Sequence, residues 1–178
     1  MIVVVMGVCG CGKTTIGRML ADRLDAVFIE GDELHPAGNK DKMAAGIPLD
    51  DKDREPWLDA IAARAARASS DVPCVVVSCS ALKRAYRDRL RDGGGELKLV
   101  HLTGSRPLLQ SRMYERRGHF MPAGLLDSQI ATLEVPQPDE TAVNLDVAEP
   151  PGAIVEHALA FLKHFTSSNP NKQKETQT

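Results

Sequence analysis

The sequence predicts a doubly wound α/β fold, a five-stranded parallel sheet with helices on both faces. Three observations carry that expectation. Apolar, β-branched runs of strand length recur along the chain, apolar positions at helical spacing separate them, and a glycine-rich turn joins the first run to the first helix.

Ile2 to Met6 is such a run, as expected of a strand buried on both faces. After Gly7 to Gly12, Ile16, Met19, Leu20 and Leu24 recur at helical spacing, and Ala26 to Ile29 reads as a second strand. Residues 33–49 hold His35, Pro36, Gly38, Gly46 and Pro48, too much punctuation for one long helix. An exposed, mobile insertion is expected there, with a short helix over Lys40 to Ala45. Asp50, Asp51 and Asp53 offer N-caps, Pro56 suits a first turn, and Trp57, Leu58, Ile61, Ala62 and Ala65 form an apolar stripe ending before Ser69. Cys74 to Cys79 reads as a third strand, and Ser80 caps a helix through Leu82, Tyr86 and Leu90 that stops at Gly93, Gly94 and Gly95. Leu97 to Leu102 is a fourth strand, Arg106 to Arg117 a strongly basic helix, Ala142 to Val147 a fifth strand, and Gly152 to Phe165 an amphipathic helix. Crossovers between parallel strands are right-handed, so ligands belong at the carboxyl ends of the strands.

The 178 residues fit one domain, expected over 1–165, and a polar, aperiodic tail over 166–178, expected to be disordered. With 43% hydrophobic residues the chain can bury a core. Lys and Arg number 22 against 24 Asp and Glu, and the net charge of -2 gives no general footprint for polyanions. Aromatic residues are only 4%, too few and scattered for a base-stacking platform, so nucleic acid is not the expected partner. No apolar run reaches the roughly 20 residues that cross a bilayer, so no membrane partner is expected. Cys9, Cys11, Cys74 and Cys79 match neither a zinc pattern nor a secreted disulfide framework, which makes a reducing cytoplasm the simplest location.

Gly7-Val8-Cys9-Gly10-Cys11-Gly12-Lys13-Thr14 matches G-x-x-x-x-G-K-[ST] after a buried strand and before a helix. Backbone N–H groups can curl around an anion there, the helix N-terminus adds positive potential, Lys13 reaches the β- and γ-phosphates, and the Thr14 hydroxyl can hold Mg²⁺. Gly7, Gly10, Gly12, Lys13, Thr14 and Thr15 are therefore the expected nucleotide-binding set, for ATP or GTP with Mg²⁺. The bland alternative, a chance glycine turn, does not explain the strand and helix on either side. Cys9 and Cys11 read as small side chains filling a tight loop.

GTPases and motor ATPases share such a loop, so the acceptor side must decide where the phosphoryl group goes. The second strand ends in Glu30-Gly31-Asp32, which sets carboxylates at a carboxyl edge beside the loop. Asp32 is the candidate catalytic base, with capping of the next segment as its alternative role. His35 and Arg54 read equally as solvated surface residues.

Motifs in several loops resemble the gluconokinase family. They are Asp32-Glu33-Leu34-His35-Pro36, Asn39, Lys42-Met43, Gly46-Ile47-Pro48-Leu49, Asp51, Asp53-Arg54 and Pro56-Trp57-Leu58, then Ser78-Cys79-Ser80-Ala81-Leu82-Lys83, Tyr86-Arg87-Asp88 and Leu90-Arg91. Arg112-Met113, Arg116, Gly118-His119-Phe120-Met121-Pro122, Leu125-Leu126, Ser128-Gln129, Leu133-Glu134, Pro136 and Asp139-Glu140 continue the likeness. Glu30 stands where many members would carry Asp, and cysteines replace the loop's usual small polar residues. The resemblance implies ATP-dependent phosphorylation of D-gluconate at its terminal hydroxyl, a nucleoside-monophosphate-kinase-like fold with strand order 2-3-1-4-5, a mobile lid and a homodimer. It implies substrate contacts from Asp32, His35, Arg54, Lys83 and His119, with insertions over about 33–57 and 112–135. Arg112 would lie against the nucleotide base, Arg116 and Arg117 would neutralise the transferring phosphate, and the adenine would meet the turn around Ala148 to Pro151. A kinase of the same fold acting on shikimate or a nucleoside monophosphate, and an ATP-binding regulatory module without transfer chemistry, remain as alternatives.

Overall fold

Strand β1 (Ile2–Met6) is buried along its whole length because it runs through the middle of a five-stranded parallel sheet. Its partners are β3 (Val75–Ser78) on one side and β4 (Leu97–Thr103) on the other. β2 (Val27–Glu30) adds beyond β3, and β5 (Ala142–Asp146) beyond β4, giving the expected order β2-β3-β1-β4-β5. The computed structural model describes residues 1–93, 96–115 and 123–166.

Alternate residues of each strand feed two apolar layers. Val3, Val5, Val76, Val100 and Leu102 pack with Ile16 and Leu20 of α1 (Lys13–Leu24) and with Ile154, Ala158 and Leu162 of α7 (Pro151–Thr166). Ile2, Val4, Met6, Val75, Val77 and Leu99 pack with Trp57, Leu58 and Ile61 of α3 (Asp51–Asp71) and with Tyr86 and Leu90 of α4 (Arg84–Asp92). Both faces of the sheet are therefore covered, and the functional groups are left at its carboxyl edge.

Several element boundaries differ from the sequence expectation, each for a local reason. Residues 33–49 are not simply an exposed insertion: Pro36 precedes α2 (Ala37–Ala44), and His35 and Asn39 are buried. Helix α3 is closed by a reciprocal capping box, the Asp53 N–H donating to Asp50 Oδ1 at 2.8 Å and the Asp50 N–H to Asp53 Oδ2 at 3.0 Å. It takes Pro56 into its interior and continues past Ser69, because Ser69 and Ser70 bond back to the Ala66 carbonyl instead of ending the helix. Ser80 does not cap α4. Ala81 is left-handed (φ 44°), and Arg87 Nη1 donates to the Ala81 and Leu82 carbonyls at 3.1 and 3.2 Å, so the helix starts only at Arg84. The basic helix is α5 (Arg106–Glu115), and α6 (Ala123–Thr132) follows with no strong apolar stripe to announce it in the sequence. Arg116, Arg117 and His119 lie outside the described residues, as does the chain after 166.

Arg87 and Glu140 form a buried bidentate ion pair, Nε to Oε1 at 2.7 Å and Nη2 to Oε2 at 2.9 Å, both side chains fully shielded from solvent. Arg87 Nη1 also donates to the Glu134 carbonyl at 2.9 Å, so one side chain ties α4, the turn after β3 and the segment before β5 together. Removing one partner strands the other charge in the core. We expect Arg87→Leu to lower the unfolding free energy by about 3 kcal/mol, with Arg87→Leu/Glu140→Leu losing less. Denaturant titration checks this; equal losses in the two variants would contradict it.

Candidate active site

The chain leaves β1 at the point where its neighbours diverge to opposite sides, the crevice in which ligands of open α/β sheets bind. To turn there it needs backbone conformations that side chains disfavour. Gly10 has φ 79°, and a Cβ on it would stand 2.8 Å from the Leu109 carbonyl oxygen. Gly12, the residue before α1, has φ 90°, and a Cβ there would meet nothing within 4 Å. Helix α1 then begins at Lys13, with its first N–H groups facing the loop.

Lys13 Nζ donates to the Val8 carbonyl at 3.2 Å, across the mouth of the loop. Burial disfavours its charge, but Cys11 and the Asp32 carboxylate oppose that, and its pKa stands above the ordinary value. Lys13 is therefore a cation at neutral pH. Thr14 and Thr15 occupy the first turn of α1, Thr15 exposed and Thr14 half-buried. Burial raises the pKa of Cys9 and takes Cys79 up to about 12, so both are neutral thiols.

The acceptor side lies beyond β2 and β3. Asp32 sits exposed in a single 3₁₀ turn, Gly31–Leu34, and among the described residues its carboxylate has no hydrogen bond or ion pair. Glu30, the last residue of β2, accepts from the Ser78 hydroxyl at the end of β3. Arg54, on the first turns of α3, donates Nη1 to the Tyr86 hydroxyl at 3.2 Å and lies 5.6 Å from that ring. Tyr86 in turn donates to Asp51 Oδ1, and Lys83 Nζ donates to both Asp51 oxygens at 2.7 and 2.8 Å. Lys83 is thus already paired, whereas Arg54 has no carboxylate partner among the described residues. Hydrogen bonds from Lys83 and Tyr86 hold the Asp51 carboxyl below the usual carboxylate range.

His35 is not a solvated residue. It stacks on Trp57 with ring centroids 4.1 Å apart, and Asn39 Nδ2 meets its Nδ1 at 3.3 Å. Trp57 Nε1 donates to the Gly31 carbonyl at 2.7 Å, which locks the stack to the turn carrying Asp32. Burial, reinforced by Arg54 and Lys40 and opposed by Asp32, lowers the His35 pKa to about 4. It is neutral at pH 7 and can offer a neutral hydrogen bond, not a counter-charge.

On the far side, Arg112 Nη2 donates to the Val147 carbonyl at 2.7 Å, beside the turn after β5 where a base was expected. Sequence reasoning missed Asp51 and Tyr86 as partners of Lys83 and Arg54, because residues 32 to 35 positions apart show no periodic relation. It also gave no role to Gln129, whose Oε1 accepts from the Cys9 N–H at 2.7 Å.

Comparison with known proteins agrees with this architecture. Residues 2–136 match the family described as "AAA domain". The chain is 43% identical over 166 residues to a gluconokinase of Gluconobacter oxydans (strain 621H), covering 93% of this chain and 92% of that protein. A crystal structure of a gluconokinase from Sinorhizobium meliloti 1021 aligns with a TM-score of 0.83 and 49% identity over 94% of this chain and 97% of the other. Shikimate kinase from Aquifex aeolicus shares the fold alone, with a TM-score of 0.57 and 14% identity over 95% of this chain and 100% of the other.

The buried His35 stack makes acid sensitivity testable. Its folded-state pKa is depressed from 6.5 to about 4, so the unfolded chain takes the proton first, and the stability it contributes is full above pH 6.5 and lost as pH falls towards 4. The shift corresponds to about 3 kcal/mol. Denaturant midpoints measured between pH 7 and 4 should fall more steeply for the native chain than for His35→Gln; parallel slopes would show that His35 is not held neutral.

Proposed function

The chain belongs to the gluconokinase family, and from that premise we propose that it transfers the γ-phosphoryl group of ATP to the terminal hydroxyl of D-gluconate, giving 6-phospho-D-gluconate and ADP. The observation that carries this reading is the Asp32 carboxylate, free of partners among the described residues, acting electrostatically on Lys13 of the phosphate loop and on His35 of the acceptor side.

In this reading Asp32 orients the acceptor hydroxyl and takes its proton as the oxygen bonds to the γ-phosphorus and the bond to the ADP oxygen breaks. Lys13 keeps one N–H on the Val8 carbonyl and turns its others to the β- and γ-phosphate oxygens, while Gly7 opens the loop and the N–H groups from Gly10 and Gly12 onward, with Thr15, cradle the phosphates. Arg116 and Arg117 offset charge on the transferring group, and Arg112 holds the turn against which the base rests. The Thr14 hydroxyl has no partner among the described residues and suits Mg²⁺, which takes few protein ligands beside phosphate oxygens and water. When bound, Mg²⁺ supplies charge neutralisation between the β- and γ-phosphates.

The acceptor is an anion bearing several hydroxyls. Arg54, without a carboxylate partner among the described residues, is the counter-charge for its carboxylate. Neutral His35 and the Lys83–Asp51 pair read hydroxyls, and the family resemblance adds His119 as a further substrate contact. The proposal extends to a single catalytic unit over residues 1–165, a homodimer as the family resemblance implies, and a reducing cytoplasm, which suits four free thiols. No helix among the described residues is long and apolar enough to cross a membrane.

The test is ADP release with Mg·ATP and D-gluconate beside shikimate, AMP and a no-acceptor control, with the product identified by mass. A monophosphorylated aldonic acid formed with gluconate alone is expected; release with shikimate or AMP instead would overturn the substrate assignment. Lys13→Ala and Asp32→Asn should each lower kcat by about 10² to 10⁴ without changing the melting temperature. Near-native turnover in either would remove that residue from the reaction.

A further inference from the structure

Gln129 reaches the phosphate loop from α6, 120 positions along the chain, and bonds a backbone N–H that no other described group takes. The Cys9 N–H belongs to the same planar peptide unit as the Val8 carbonyl, and in a trans peptide these two groups point in opposite directions. The Val8 oxygen is the acceptor of both Lys13 Nζ at 3.2 Å and the Cys11 N–H at 3.4 Å. Holding the N–H end of this peptide therefore aims its carbonyl end at Lys13.

The helix that carries Gln129 is tied to α5. Arg106 of α5 makes a bidentate ion pair with Asp127 of α6 at 2.7 and 2.9 Å. Leu126 and Leu109 are buried in the same apolar layer as Cys9. From α5, Met113 Sδ lies 3.4 Å from Cys9 Sγ, and the Leu109 carbonyl closes over Gly10. Both helices thus contact the Cys9–Gly10 stretch, and Gln129 makes their one hydrogen bond to its backbone among the described residues.

We propose that Gln129 is a positioning residue for nucleotide binding: through the Val8–Cys9 peptide it sets the shape of the phosphate loop and the resting place of Lys13. Its amide touches neither the phosphates nor the acceptor. It fixes a peptide plane which, left free, could rotate and withdraw the Val8 carbonyl from Lys13 or misdirect the N–H groups that follow. The inference rests on the reading of Lys13 as a nucleotide ligand, and it concerns the ATP side only.

The test is a double-mutant cycle on Mg·ATP affinity, measured by calorimetry on the full chain with Gln129→Met, Lys13→Met and the double variant. Gln129→Met should weaken Mg·ATP binding about three- to tenfold, the range a lost hydrogen bond to a partly buried group produces. The KM for gluconate should stay unchanged, and the melting temperature should fall by only about 2–4 °C. In the Lys13→Met background the same substitution should cost less than about twofold, because the group it positions is gone. Unaltered ATP affinity in Gln129→Met, or an equal loss with and without Lys13, overturns the proposal while leaving the proposed reaction intact. If Lys13→Met itself leaves ATP binding unchanged, the nucleotide reading falls and takes this inference with it. Gln129→Asn, one methylene shorter and still polar, should weaken ATP in the same direction and serves where Gln129→Met does not fold.

Discussion

The burial of β1 between β3 and β4 is the constraint on which the rest depends. A strand with no free edge and two covered faces cannot shift its register without turning apolar side chains toward the wrong layer. Its carboxyl end is therefore a fixed point, and the chain that leaves it must turn at once to reach α1 on one face. Left-handed glycines make that turn, and the turn is also the anion cradle. Stability and phosphate binding share one structural cause here.

Around this fixed point the charges sort into two sets. Acid–base pairs such as Lys83–Asp51, Lys42–Asp53 and Arg87–Glu140 neutralise each other and brace the elements that carry them. Asp32 and Arg54 are left without an ion-pair partner among the described residues, at the edge facing the loop. Ion pairs at the surface contribute little to stability. The Lys83–Asp51 pair matters more for where it fixes Tyr86, and Tyr86 for where it fixes Arg54, than for its own energy.

The same logic explains which residues could be read in advance. The strands were legible because each is a short apolar run between turn residues, and the phosphate loop because its function lies in consecutive residues. Helix α6 was not, since its ten residues face partly outward and show no clear stripe, and α4 starts late because Ala81 is left-handed and the Ala81 and Leu82 carbonyls turn to Arg87. His35 could be placed in a motif, yet its neutrality comes from the Trp57 stack, which is a matter of packing.

By itself the sequence determined the fold class, the strand positions, the anion-binding turn and the candidate reacting groups Lys13 and Asp32, because each is encoded by near neighbours along the chain. Only the tertiary structure decided that Lys83 is already paired, that Arg54 is not, that His35 is buried and uncharged, and that Gln129 holds the loop from α6. Those facts depend on groups dozens of residues apart meeting in three dimensions, where burial and charge are set by whatever packs alongside and local spacing holds no trace of it.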